Sequence, residues 1–133
     1  MTRDVKIKWL SRPEEHDYPA ALSYLSLIFA TADAAQCVDA LRASGMVTFK
    51  AKDIFRASTL TLLGVSNSHI EKVQSKIADG EALSPLLLVR DAARGKVIVA
   101  DGYHRLCAVY RVDEDALVPC KIAGRTDPAS GAQ

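Results

Sequence analysis

The sequence has no pair of closely spaced cysteines. Its three cysteines are Cys37, Cys107 and Cys120, and no two of them are closer than thirteen positions. A structural zinc site built on C-x-x-C spacing is therefore excluded. An odd number of cysteines without features of a secreted protein favours reduced, buried thiols.

The sequence also lacks an excess of either charge. Seventeen Lys and Arg residues stand against sixteen Asp and Glu residues, which gives a formal net charge of +1. Proteins that hold long nucleic acids by charge are strongly basic, so we expect no partner of that kind. The balance is compatible with a local basic pocket for a small anion.

A long apolar run is missing as well. The longest apolar stretch, residues 18–30, is interrupted by polar residues and a proline, and it is too short to span a bilayer. Residues 1–10 carry no cleavage signature, so we expect no signal peptide and a cytoplasmic location. The length predicts one domain over residues 1–124, and the composition of residues 125–133 predicts a flexible tail.

The N-terminal part of the chain, about residues 14–63, is predicted to be mostly helical. Asp17 is placed to cap the first of its helices. Apolar residues then recur at helical spacing in two successive segments. The predicted elements are a short strand in residues 5–10 and helices over residues 18–29, 32–43 and 52–57.

The remaining part, about residues 66–123, alternates helix and strand patterns. Ser68 and Glu71 match the S-x-x-E capping box and predict the start of a helix. Unbroken apolar runs of strand length follow. The predicted elements are a helix from Ser68, strands over 86–89 and 97–100, a helix over 103–110 and a strand over 118–122. The class predicted from this order is α+β.

The stretch DGYHR, residues 101–105, connects a predicted buried strand to the next helix, and we call it the joint. The first N–H groups of a helix have no partner within it and favour an anion. Gly102 allows a sharp turn and a close approach by a ligand. Arg105 offers a planar fork that suits phosphate oxygens. The joint therefore predicts a phosphate site, and the alternative is a simple cap and turn with surface side chains.

From residue 68 to residue 122, the order of elements and the motifs GEALSP, GYHR and VPCKI resemble the ParB/sulfiredoxin superfamily. The resemblance is to a short single-domain branch. It implies a small mixed sheet with packed helices, preceded by a helical N-terminal segment. It also implies that Gly102, Tyr103, His104 and Arg105 line the phosphates of a bound nucleotide.

Two departures from this family limit what the resemblance implies. Sulfiredoxins carry a nucleophilic cysteine where this chain has Tyr103, so we expect no sulfinic acid reductase activity. Partition proteins carry a helix-turn-helix domain after this core, and the chain continues only with a short tail. We therefore expect no role in DNA partition.

The resemblance also implies further pocket residues outside the joint. Lys52, Asp53 and Arg56 lie in the segment FKAKDIFR, which precedes the core helix, and a solvated helix face is the alternative interpretation. Ser68 begins the core helix and is a candidate for the same pocket, together with the neighbouring Ser66, Asn67 and His69. The alternative is that Ser68 only caps the helix and that His69 is exposed.

The residues and the resemblance together predict a protein that binds a nucleotide or another phosphorylated small ligand. Phosphotransfer or nucleotide hydrolysis would use Asp101, Asp53 and His104 as catalytic groups, with Asp101 as a ligand for Mg²⁺. One alternative is a non-catalytic module that binds a partner protein and keeps a vestigial pocket. A nuclease, suggested by the family's name alone, ranks third. A homodimer through the N-terminal helices is the predicted assembly.

Overall fold

The computed structural model describes residues 6–60 and 68–124. Helices and strands are mixed along these two ranges. In chain order the elements are β1 (Lys8–Trp9), α1 (Asp17–Ile28), α2 (Thr31–Ala43), β2 (Val47–Lys50), α3 (Ala51–Ser58), α4 (Ser68–Ala78), β3 (Ala82–Leu83), β4 (Leu86–Asp91), β5 (Lys96–Asp101), α5 (Tyr103–Val112) and β6 (Leu117–Gly124).

Four strands form the main sheet in the order β2-β6-β4-β5. β4 and β6 run parallel, whereas β2 pairs with β6, and β5 with β4, in antiparallel orientation. β1 and β3 form a separate parallel pair. The protein is therefore an α+β fold with a mixed sheet.

β4 shows why four successive positions of a central strand are apolar. Side chains along a strand point alternately to the two faces of the sheet. Leu86 and Leu88 pack into one buried cluster, and Leu87 and Val89 pack into the other. A strand that is covered on both faces needs apolar residues throughout, so its sequence shows no alternation.

Helices cover both faces of the main sheet. α1 and α2 pack on the face that carries Leu87 and Val89, and α3, α4 and α5 pack on the opposite face. The fully or nearly fully buried side chains that make these contacts include Leu25 and Leu41 on the first face, and Ile54, Ile70 and Leu106 on the second.

The predicted helices are confirmed to within a few residues, and so are the three late strands. All three cysteines are free and buried, as predicted. Ser66 and Asn67 lie outside the described residues, as does the tail over 125–133. The N-terminal strand is confirmed only as the two-residue β1.

The prediction that Asp17 caps α1 is wrong. Asp17 is the first residue of the helix, and the N-cap position belongs to His16, with no side-chain cap. The Asp17 side chain is buried, with an exposure of only 6%. It accepts a hydrogen bond from the Ser84 hydroxyl and lies beside Arg105, so tertiary contacts take the place of the local cap.

The N-terminal part is also less helical than predicted, because it supplies the edge strand β2. All four residues of β2 are exposed, so the strand leaves no inward-facing apolar pattern in the sequence. Its position depends on antiparallel pairing with β6, some seventy residues later, in which Val47 is opposite Cys120. A pairing at this sequence separation is invisible to local periodicity.

Candidate anion-binding cleft

The joint makes its turn at Gly102, between the end of β5 and the start of α5. Gly102 has a φ of 108°, in the left-handed region that side chains disfavour. A Cβ atom built there would lie 2.7 Å from Leu86 Cγ and 3.1 Å from Arg105 Nη2. Backbone conformation and close packing therefore both require glycine, as the sequence predicted for a sharp turn.

The N-cap residue of α5 makes no side-chain cap, because it is a glycine. Gly102 is the N-cap residue, and its carbonyl oxygen accepts the first helical hydrogen bond from the Leu106 amide at 2.9 Å. The N–H groups of the first turn and the positive end of the helix dipole lie at the joint. The joint borders an open cleft of about 700 Å³.

The cleft has two walls of opposite charge. We call His69, Lys72 and Lys76 of α4, with His104 of α5, the basic wall. The acidic wall consists of Glu14, His16 and Asp17, with Asp101 of the joint. His69, Lys72 and Lys76 follow i, i+3 and i+7 spacing, which places them on one face of α4.

Arg105 lies between the walls, and its guanidinium is engaged within the protein. Its Nη2 donates to Asp101 Oδ2 at 2.6 Å, and its Nη1 donates to the Ser84 carbonyl oxygen at 2.9 Å. The same Nη1 is 3.4 Å from Asp17 Oδ2. The side chain is 16% exposed. Arg105 thus holds the start of α1, the segment before β4 and the joint together, and its fork is not directed at a ligand.

The Asp101 and Asp17 carboxylates share the Arg105 guanidinium, and this arrangement affects the pKa of Asp101. Burial raises the pKa of Asp101, the nearby Asp17 carboxylate raises it further, and Arg105 opposes both effects. One of the two Asp101 oxygens, Oδ2, is paired with Arg105. A Mg²⁺ ion at Asp101 would have to share the carboxylate with that guanidinium.

A different group of side chains in the acidic wall has the spacing of metal ligands. One ligand atom each from Glu14, His16 and Asp17 lies within 4.8 Å of the other two. His16 Nε2 is 3.4 Å from Asp17 Oδ1. His16 was given no role from the sequence, because nothing local signals that Asp17 turns inward beside it.

On the basic wall, the rings of His69 and His104 stack with 4.7 Å between their centroids. Burial and the His69 ring hold the pKa of His104 below its usual value. From the sequence, His69 was a pocket candidate, with an exposed side chain as the alternative. In the structure His69 is exposed, and its ring also stacks on His104 at the joint. Lys72 and Lys76 were not identified from the sequence, although their spacing from His69 was visible there.

An apolar extension continues the cleft on the other side of the joint. It has a volume of about 570 Å³ and shares Ala20 and the joint residues 101–104 with the charged part. Its remaining lining residues are Tyr24, Leu60, Val99 and Ala100. The joint therefore separates a charged compartment from an apolar one.

The other residues predicted for the pocket do not line this cleft. Lys52 pairs with Asp115 at 2.8 Å on the surface. Asp53 lines a small pocket elsewhere, with Leu88 and Arg90. Arg56 lies in the last turn of α3, away from the cleft walls. Ser68 is exposed at the start of α4, and only its neighbour His69 reaches the cleft.

Neither Tyr103 nor the nearby thiol is activated for nucleophilic attack. Burial and a hydrogen bond with Cys107 raise the pKa of Tyr103 to about 12. Cys107 is fully buried in the core. Burial also raises the pKa of Cys120 to about 12. The chemistry of the cleft rests on its histidines, lysines and carboxylates.

Comparisons with family models, with curated proteins and with solved structures found no match to this chain. Among the described residues, no helix has the length and apolar character needed to cross a membrane.

Proposed function

We propose that the cleft binds the phosphate group of a nucleotide or of another small phosphorylated ligand. The observation that carries this proposal is that the start of α5 lines the same cleft as the lysines and histidines of the basic wall. A helix start favours an anion through its N–H groups and its dipole. His69, Lys72 and Lys76 approach the same space from α4.

The role of Arg105 in this proposal differs from the sequence-based expectation. Its guanidinium is engaged by Asp101, Asp17 and the Ser84 carbonyl oxygen, so it supports the joint rather than binding phosphate oxygens. The proposed phosphate-binding side chains are Lys72, Lys76 and His104. Gly102 contributes by letting the ligand approach the backbone of the first turn.

The apolar extension supports a ligand that is larger than a bare phosphate. A nucleotide joins a flat base with apolar faces to a charged phosphate, and the two parts of the cleft meet at the joint. Tyr24 and Leu60 offer an aromatic ring and an aliphatic side chain on the base side. A ParB/sulfiredoxin-like core, with its phosphate site at a G-x-H-R joint, is the fold assignment that we propose with this function.

The proposal is one of binding, and a reaction is a further step. Phosphotransfer or nucleotide hydrolysis by Asp101, Asp53 and His104, with Mg²⁺, stays a prediction. Asp53 lines a different pocket from the joint, so a single centre that contains both carboxylates requires a rearrangement. Release of inorganic phosphate from nucleoside triphosphates, with and without Mg²⁺, is the corresponding assay.

Calorimetric titration with nucleoside mono-, di- and triphosphates tests the binding. We expect dissociation constants below millimolar for at least one of them. Lys72→Ala should weaken that binding by about tenfold, because each charge-assisted hydrogen bond is worth about 1.5 kcal/mol or more. Lys52→Ala is the matched control, since it removes a lysine that lies outside the cleft, and binding should not change.

The proposal would be rejected if the wild-type chain bound none of these compounds below millimolar. It would also be rejected if Lys52→Ala weakened binding while Lys72→Ala did not. That second result would favour the pocket on α3 that the sequence first suggested.

A second candidate function is the partner-binding module, and one observation favours it. α1 exposes three apolar side chains: Leu27 is 85% exposed, Ile28 45% and Tyr24 43%. Apolar residues on one exposed helix are a feature of protein interfaces. The homodimer predicted through the N-terminal helices would use this face. Sedimentation of the wild-type chain distinguishes a monomer from such a dimer, and Leu27→Glu should convert the dimer into a monomer.

A further inference from the structure

The stacked histidines of the basic wall suggest how binding in the cleft depends on pH. His69 and His104 belong to different helices, and their ring planes are inclined by 29°. The His104 side chain belongs to the first turn of α5 and lines the cleft at the joint. A charge on this ring therefore acts directly on any anion at the joint.

The surroundings of His104 contain both signs of charge. On the cationic side are Lys72 and Lys76 of α4 and the paired Arg105 of α5. On the anionic side are Glu14, Asp17 and Asp101, the last two of which are engaged by Arg105. The remaining titratable groups are His16 and Tyr103, whose ring centroid lies 5.6 Å from that of His104.

His104 is poised to be neutral before an anion arrives. Burial and the neighbouring His69 ring hold the pKa of His104 below its usual value, so the neutral form of the ring predominates near neutral pH. An imidazolium at His104 is disfavoured by burial and by the stacked His69, and the positive charges of Lys72 and Lys76 line the same cleft. A doubly negative group at the joint reverses that balance, because it is attracted to every one of these cations.

We propose that anion binding in the cleft is coupled to proton uptake by His104, with the stacked His69 ring setting the pH range of the coupling. The inference rests on the proposed function and adds its regulation. The bound anion favours the protonated ring, so affinity is highest at low pH. It falls as the pH rises through the range in which His104 of the bound protein titrates.

Sulfate is a suitable probe, because it stays doubly charged across this range, whereas a phosphate monoester gains a proton near pH 6. The imidazole signals of the full chain can be followed by NMR between about pH 5 and pH 8, the range in which histidines titrate. The pKa of His104 should rise by about one unit in saturating sulfate. By linkage, sulfate then binds about tenfold more tightly below this range than above it.

Two variants separate this coupling from a merely structural effect. His69→Asn removes the neighbour that disfavours the His104 proton, so it should raise the pKa of His104 both without and with sulfate and move the pH range of the coupling upward. His16→Asn is the matched control, because His16 is a cleft histidine that faces Glu14 and Asp17. It should leave both His104 titration curves in place.

The result that overturns the inference is distinct from failure of the proposed function. If sulfate shifts the backbone amide signals of residues 103–105 but leaves the His104 titration unchanged, the joint binds anions and the coupling is wrong. If neither sulfate nor any nucleotide shifts those amide signals, both proposals are wrong.

Discussion

Two ion pairs of nearly equal length lie in very different surroundings. Lys52 Nζ is 2.8 Å from Asp115 Oδ1, and Arg105 Nη2 is 2.6 Å from Asp101 Oδ2. The Lys52 and Asp115 side chains are 42% and 55% exposed, whereas Arg105 and Asp101 are 16% and 20% exposed. Water and salt weaken an exposed pair, and a buried pair cannot lose one partner without leaving an uncompensated charge.

This difference separates two charged groups that the sequence placed in one pocket. The pair on α3 is a surface feature, and the pair at the joint is part of the interior. Arg105 also reaches Asp17 and the Ser84 carbonyl oxygen, so it links three segments of the chain. The comparison predicts that the same kind of substitution at the two ion pairs changes the free energy of unfolding by very different amounts.

The largest effect is expected for Arg105→Ala. Removing the guanidinium leaves Asp17 and Asp101 close together without their cation, and breaking a buried pair in this way costs about 3–5 kcal/mol. Denaturant unfolding should show that loss in the free energy of unfolding. A loss no larger than that of an exposed surface substitution would contradict the structural role given to Arg105.

The next largest effect is expected for Gly102→Val. A β-branched side chain at a φ of 108° and in collision with Leu86 should lower the free energy of unfolding by about 2–4 kcal/mol. Gly45→Val is the matched control, because a Cβ at Gly45 meets no atom within 4 Å. Equal unfolding midpoints for the two variants would show that the joint tolerates a side chain.

The contributions of Asp101 and Asp115 to stability should change with pH in opposite directions. Burial raises the pKa of Asp101, so its contribution to stability is greatest below the ordinary pKa of an aspartate and declines as the pH rises through the higher folded-state value. The hydrogen bond from Lys52 lowers the pKa of Asp115, so its contribution is present above the ordinary value and is lost on acidification.

Thermal unfolding of wild type, Asp101→Asn and Asp115→Asn tests these signs. From about pH 4 to pH 7, the stability of wild type relative to Asp101→Asn should decline, whereas relative to Asp115→Asn it should stay nearly constant. A rise with pH relative to Asp101→Asn would mean that the attraction of Arg105 outweighs burial at that carboxylate.

The smallest effect is expected for Lys52→Ala. The pair with Asp115 is exposed on both sides and is screened by solvent, so the denaturation midpoint should barely move. A change that approaches that of Arg105→Ala would remove the distinction between the two ion pairs.

Local pattern was enough to predict most helices and the late strands, because each of them carries its own signal. The S-x-x-E motif marked the start of α4, and the apolar runs marked β4 and β5. Gly102 was predicted correctly because a strand-to-helix turn restricts the backbone locally.

Contacts between distant positions could not be predicted in this way. Asp17 and Arg105 are 88 positions apart, and nothing near Asp17 indicates that it turns inward. β2 depends on pairing with β6, and Lys52 was separated from the joint by the arrangement of whole helices around the sheet. Lys72 and Lys76 line the cleft because α4 lies beside α5, and the sequence does not reveal that these two helices are neighbours.

The central claim is that the joint, and not α3, binds a phosphate group. Backbone amide NMR of the full chain, titrated with inorganic phosphate and with a nucleoside monophosphate, tests it most directly. The account predicts that the largest shifts occur at residues 103–105 and at the cleft face of α4, with little change along Ala51–Ser58. Shifts centred on Ala51–Ser58, or no shifts with either ligand, would contradict it.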